Sequence, residues 1–179
     1  LIERLEVFAP VYVLFTKADL IPGFHEFFRD LDAAERDRVW GATLPADTSA
    51  GDDLLAVFDR HFDELHGGLR AISVAQLARR QGEAVAPGLL TFPAEFLAIR
   101  PALRAFVATL FEDNPFQFKP VFRGFYLSSA LQGADFEPVS NARIVRRFGL
   151  VDAPAPQPPT TNHGYFLRQL FSKVVFPDR

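Results

Sequence analysis

Two short runs, VYVLF at 11–15 and VFRGFYL at 121–127, set the limits on what this chain can fold into. Both are β-branched and aromatic, and the first is apolar at every position, without the polar alternation of a half-wet strand. Uniformly apolar strands belong in a parallel sheet covered on both faces, and parallel neighbours need a crossover that carries helices. The stretch between the runs supplies them. Leu54, Leu55, Phe58, Phe62, Leu65, Leu69, Ile72 and Leu77 recur at helical spacing and predict a long helix to about Arg80, capped by Asp52 or Asp53, with a kink expected at Gly67 and Gly68. EAVAPGLLTFP then reads as a turn, and FLAIRPALRAFVATLF as a second helix with Pro101 at a new first turn or a kink. The class is α/β: parallel strands near 11–16 and 121–128, a mainly α-helical insertion between them and a helical C-terminal extension.

The connecting pieces follow local chemistry. LIERLEVFA resembles the end of an amphipathic helix, interrupted by Pro10. Phe24, Phe27, Phe28 and Leu31 form one helical stripe. Asp32 with Glu35 three residues on predicts a capping box and a short helix from Ala33 to Trp40, closed by Gly41. ATLPADTSAGD and DNPFQFKP read as loop and turn, and Gly124 as a site of close approach within its strand. After Gly133 a short helix at NARIVRRF, an extended connector DAPAPQPP and a last amphipathic helix in GYFLRQLFSKVVF are expected. The domain division is 1–50 with 117–134 as a sheet-bearing part, 51–116 as a helical lobe and 135–179 as the extension.

Composition removes several functions. A net charge of -3 and pI near 5.8 give no broad basic surface for nucleic acid. With no Cys there are neither disulfides nor thiolate metal sites. No apolar run is long enough to cross a membrane. The chain contains 20 Phe against 3 Tyr and 1 Trp, which predicts a core of rings without polar handles. It contains no Met and opens on Leu1, so it is expected to begin inside a longer protein.

Chemistry concentrates where the two strands end. VYVLF runs into Thr16, Lys17, Ala18 and Asp19, the [NT]-K-x-D pattern of a guanine reader: the Asp accepts from the ring N–H and the exocyclic amine, the Lys stem lies over the base, and the Thr ties the loop down. The same letters also fit a strand-end loop whose Thr and Asp satisfy backbone N–H groups. LSSALQG ends the other strand, and its Ser128, Ser129 and Ala130 match the short Ser-Ala loop that places a backbone N–H beneath the base. In small GTPases the two loops lie some thirty residues apart; here the helical insertion separates them by over a hundred.

The phosphate half is missing from these residues. No G-x-x-x-x-G-K-[ST] occurs, since no Gly is followed by Lys. Phosphate cradling and Mg²⁺ supply most of the hold on a nucleotide and nearly all of the catalytic stabilisation. A lone base pocket offers three or four hydrogen bonds of about 0.5–1.5 kcal/mol each, against an association cost of about 4 kcal/mol or more. Millimolar or undetectable binding is expected, and no catalytic residue is assigned.

Other candidates are weaker. His61 and His66 are five apart, about 140° around a helix, where H-E-x-x-H needs four. Asp52, Asp53, Asp59, Asp63 and Glu64 read as a solvated face. Arg79 and Arg80, with Arg143, Arg146 and Arg147, read as ordinary surface charge or as contacts to partners or anionic headgroups.

PVYVLFTKADLIPGFHEFFRDLDAAERDRVWGATLP, LLTFPAEF, FRGFYLSSALQG and GYFLRQLFSKVVFPD together resemble successive segments of the TssM (IcmF-like) family of type VI secretion inner-membrane proteins, over nearly the whole chain. The resemblance implies a P-loop GTPase-like domain with a helical extension on the cytoplasmic face of the bacterial inner membrane. The implied partners are TssL and TssJ in the membrane complex and TssK in the baseplate. It implies GTP or ATP with Mg²⁺ for the intact parent and no cofactor in this piece, whose phosphate loop would lie upstream of Leu1. Two functions stay open: a docking module, or the base-binding portion of a working NTPase. A free-standing helical adaptor over 52–179 is a third reading, and an incomplete sheet would favour self-association.

Overall fold

A computed structural model describes residues 10–44, 53–80, 85–112, 120–130 and 164–177. Strands β1 (Pro10–Phe15) and β3 (Val121–Leu127) lie side by side and parallel, from Pro10 against Val121 to Phe15 against Leu127. The register shifts between Val11 and Tyr12, which leaves Arg123 as the extra residue of β3. Arg123 is buried, and its guanidinium donates to the Leu44 carbonyl at 2.9 Å.

The sheet is mixed, not wholly parallel. A third strand, β2 (Gly41–Thr43), pairs antiparallel with β3, giving the order β1-β3-β2. Gly41 was expected to close a helix; instead it enters this strand, because a Cβ there would overlap the Phe125 carbonyl oxygen and lie 2.7 Å from Tyr126 Cα. Central β3 is buried from Phe122 to Leu127, as a doubly covered strand should be, whereas in β1 only Val13 is buried.

Between β1 and β2 the chain makes two short helices, α1 (Phe24–Phe27) and α2 (Ala33–Arg36). The Asp32 capping box forms in both directions, at 2.8 and 3.0 Å. The helix stops at Arg36 and does not reach Trp40, because the Trp40 carbonyl accepts the Leu127 N–H at the sheet. The α1 stripe is also shorter than its spacing predicts, though Phe24, Phe27 and Phe28 are all buried.

The insertion contains three helices. α3 (Leu54–Arg79) is continuous through Gly67 and Gly68 and is capped by Asp53, which accepts from Leu55 N at 3.0 Å. α4 (Pro87–Ala98) begins inside the stretch expected to turn, and α5 (Arg100–Leu110) carries Pro101 in its first turn. Pro93 sits inside α4 and cannot donate to the carbonyl of Leu89. Ser73 of α3 makes that bond instead, at 2.8 Å and buried. Ala86 offers α4 no cap; Glu26 of α1 supplies one by accepting from Gly88 N.

Aromatic packing joins sheet to helices. Phe125 of β3 meets Phe58 at 4.6 Å; Phe62 stacks on Phe96 at 4.6 Å and 4°; Phe96 meets Trp40, and Trp40 meets Phe28, each at 5.4 Å. Most of the described Phe side chains thus meet in one core. The last element, α6 (Arg168–Leu170), runs into a π turn at Phe171–Val175; it starts later than its pattern predicts, since Tyr165 bridges Ser129 and Phe166 takes left-handed backbone geometry, both buried. The expectations for residues 1–9, most of DNPFQFKP, NARIVRRF, DAPAPQPP and Arg143, Arg146 and Arg147 lie outside the described residues.

Acids on α3 stay at the surface, with Asp63 and Glu64 exposed and Asp59 half-buried, and they are ion-paired there. Asp59 bridges Arg100 and Arg104 at 3.1 and 2.9 Å, Asp63 pairs with Arg100 at 2.8 Å, and Glu64 meets His61 at 2.8 Å. Arg80 likewise pairs with Asp30. Burial raises the Asp59 pKa, but hydrogen bonds from Arg104 and Arg100 outweigh it and hold the carboxyl below its ordinary 3.8. A depressed carboxylate contributes stability that is present above its unfolded pKa and lost as pH falls through the folded one. Asp59→Asn is therefore expected to cost about 1 kcal/mol at pH 7 and progressively less as pH falls below the ordinary carboxylate range and the wild-type carboxyl protonates. Urea unfolding of both proteins across that range measures the convergence; a pH-independent difference would rule it out.

Candidate functional site: the strand-end loops

Parallel pairing of β1 and β3 brings both strand-end loops to one edge of the sheet. Phe15 O accepts from Ser128 N at 2.9 Å, and Ser128 O accepts from Ala18 N at 3.0 Å, so the ladder continues past both strands. Lys17 takes left-handed backbone geometry, φ 60°, and starts a 3-10 turn at Ala18–Leu20 that points Asp19 inward. Asp19 is 9% exposed, and Ser129, 2% exposed, donates its hydroxyl to Asp19 Oδ1. Thr16, Lys17 and Ala130 remain exposed, while Ser128 is buried.

All six residues predicted from sequence thus come together, but much of their bonding capacity is already used. Ser128 N is committed to β1. Ser129 N donates to Tyr165 O at 3.1 Å, and Ser129 O accepts from Tyr165 N at 2.7 Å, which makes an antiparallel bridge with the segment before α6. Gly164 runs along the same loop: a Cβ there would lie 3.3 Å from Ser129 O. Phe166, with φ 61°, donates its N–H to Arg36 O at 2.6 Å. Sequence reasoning missed Gly164, Tyr165 and Phe166 because nothing in GYF marks it as a strand partner.

The arrangement can hold a carboxylate in a fixed direction, with a lysine and a threonine at its rim. Among the described residues no group of three or more metal-ligating side chains forms, and no helix is long and apolar enough to cross a membrane.

Comparison with known proteins agrees with the family resemblance read from the sequence. Residues 1–179 match the IcmF-related N-terminal domain family. The chain is 34% identical over 181 residues to the type VI secretion system component TssM1 of Pseudomonas aeruginosa, a match that covers 100% of this chain and 16% of that relative. No solved structure matches. On the family match over its full length, and on that identity, the chain belongs to the IcmF-related, TssM-like family of type VI secretion proteins.

Proposed function

We propose that the chain is a structural and docking module of a TssM-like type VI secretion component, on the cytoplasmic face of the bacterial inner membrane. It carries the base-side part of a P-loop NTPase-like sheet (1–50 and 117–134), a helical lobe (51–116) and an extension (135–179). Its partners are TssL and TssJ, reached through the parent protein, and baseplate subunits such as TssK. The observation that supports docking over turnover is how the strand-end loops use their polar groups: Ser129 on Asp19, Ser128 N on Phe15 and Ser129 N on Tyr165. A hydrogen bond to a charged group is worth about 1.5–3 kcal/mol, so these bonds hold two loops together and one edge of the module rigid.

The second reading, the base-binding portion of an active GTPase or ATPase, draws on the same geometry. Thr16, Lys17, Asp19, Ser128, Ser129 and Ala130 converge, and Ser129 orients a carboxylate whose second oxygen a base could use. One assay separates the two. Phosphate release from GTP or ATP with Mg²⁺ is expected to stay at the buffer rate for this chain, with and without Asp19→Ala. Turnover that Asp19→Ala abolishes would overturn the docking reading.

A further inference from the structure

Phe171 and Phe176 are five residues apart, a spacing that sets side chains about 140° apart on an α-helix. The π turn at Phe171–Val175 undoes that separation: Phe176 N donates to Phe171 O at 2.9 Å, and the two rings meet at 6.2 Å. Neither ring enters the core, Phe171 being 45% and Phe176 64% exposed, whereas Leu170 just before them is buried. Turns of this kind are rare and recur at functional sites, and this one pairs two apolar rings in solvent. Arg168, Ser172 and Lys173 are exposed beside them. Charge is as uneven as exposure. The chain has a net charge of -3, yet residues 164–177 include Arg168 and Lys173 and neither Asp nor Glu, and Asp178 and Arg179 after them cancel. Asp37 pairs with one Arg168 amine at 3.4 Å, and the Arg168 side chain is still 83% exposed.

We propose that this face, formed by Arg168, Phe171, Lys173 and Phe176, rests on an anionic lipid surface, with the two rings dipped into the acyl boundary and the two cations among the phosphate headgroups. Charge complementarity selects that occupant: a positive patch on a negative chain is drawn to an anionic surface, where each cation strengthens binding about fivefold. Size selects it too. Two rings and two cations make a small patch, short of the roughly 1,000 Å² of a specific protein contact, whereas a fluid interface asks for apolar area and charge without a matched shape. The contact is peripheral, since no helix among the described residues is long and apolar enough to cross a membrane. It stands apart from the docking reading: a chain that captures TssK and ignores vesicles keeps that reading and loses this one.

Vesicle co-sedimentation of the chain tests it, with equimolar phosphatidylcholine and phosphatidylglycerol against phosphatidylcholine alone. Wild type is expected to partition onto the anionic vesicles and to be released by salt, which screens the cations. Replacing both rings, Phe171→Ser with Phe176→Ser, is expected to lower partitioning about tenfold, and Lys173→Gln about fivefold. The urea midpoints of these variants should match wild type, because the replaced groups are exposed. Wild type that stays in solution with anionic vesicles overturns the proposal, as does equal partitioning onto phosphatidylcholine alone or partitioning that the ring variant leaves intact. A concentration-dependent dimer that the ring variant abolishes, with no vesicle binding, overturns it as well and assigns the face to a second copy.

Discussion

Truncation of Phe24 to alanine is expected to cost about 3–5 kcal/mol, the range for emptying a fully buried ring site. Phe24 is 1% exposed. Its ring lies 4.8 Å from Phe28, 5.3 Å from Tyr165, 6.0 Å from Phe92, 6.3 Å from Trp40 and 6.5 Å from Phe166. Those partners come from α1, α4, the entry to β2 and the segment before α6, so one ring ties together pieces far apart in sequence. Part of the energy is area and part is edge-on ring geometry, about 0.5–1.5 kcal/mol per good pair. In a chain of this size the melting temperature should fall by about 10 °C. Phe176→Ala is the control: its ring is 64% exposed, and a change within about 0.5 kcal/mol is expected. Urea denaturation of the two variants reads both values. A Phe24→Ala loss below about 1.5 kcal/mol would mean that the segment around Tyr165 does not close this core.

What the sequence showed and what it hid divide by range. Asp32 and Asp53 could be read as caps because capping is settled within three residues, and α3 because its stripe repeats over seven turns. Asp19 and Ser129 could be paired in advance because two strands rich in β-branched and aromatic residues, the first apolar throughout, point to a parallel ladder, and the ladder aligns their ends. β2 was hidden. Gly-Ala-Thr has no strand signature of its own, and it pairs because two glycines let it approach β3. α4 was hidden by its prolines: Pro87 at the first turn is compatible with a helix, and the bond lost at Pro93 is replaced by Ser73, which lies on another element. The pairing of Asp59 and Asp63 with Arg100 and Arg104 was hidden because it needs α3 and α5 placed side by side. Tyr165 reaches Ser129 across a long separation that no local pattern records.

Glycine-to-alanine substitution should have opposite signs at two positions, and the difference tests whether β2 is truly part of the sheet. At Gly124, φ is 154°, and an added Cβ would overlap the Ala42 carbonyl oxygen of β2 while lying 2.7 Å from the Tyr126 hydroxyl and 3.1 Å from its Cζ. Neither neighbour can yield cheaply. Ala42 is fixed by the β2–β3 ladder, and the Tyr126 phenol is 1% exposed and hydrogen-bonded to Thr43 at 2.8 Å. Burial, the largest influence on that phenol, raises its pKa above 10.0 against the opposing pull of Thr43 and Arg123, so it stays a neutral partner through the physiological range. Overpacking of 1–3 kcal/mol, with about 1 kcal/mol more for the strained Thr43 bond, puts Gly124→Ala at about 3 kcal/mol destabilising. At Gly67, mid-α3, an added Cβ meets nothing within 4 Å, and alanine should stabilise by about 0.5–1 kcal/mol. Paired urea titrations measure the gap. If Gly124→Ala is tolerated as well as Gly67→Ala, β2 does not lie against β3 in this register, and the Trp40–Leu127 bond that leads into Ser128 and Ser129 loses its support.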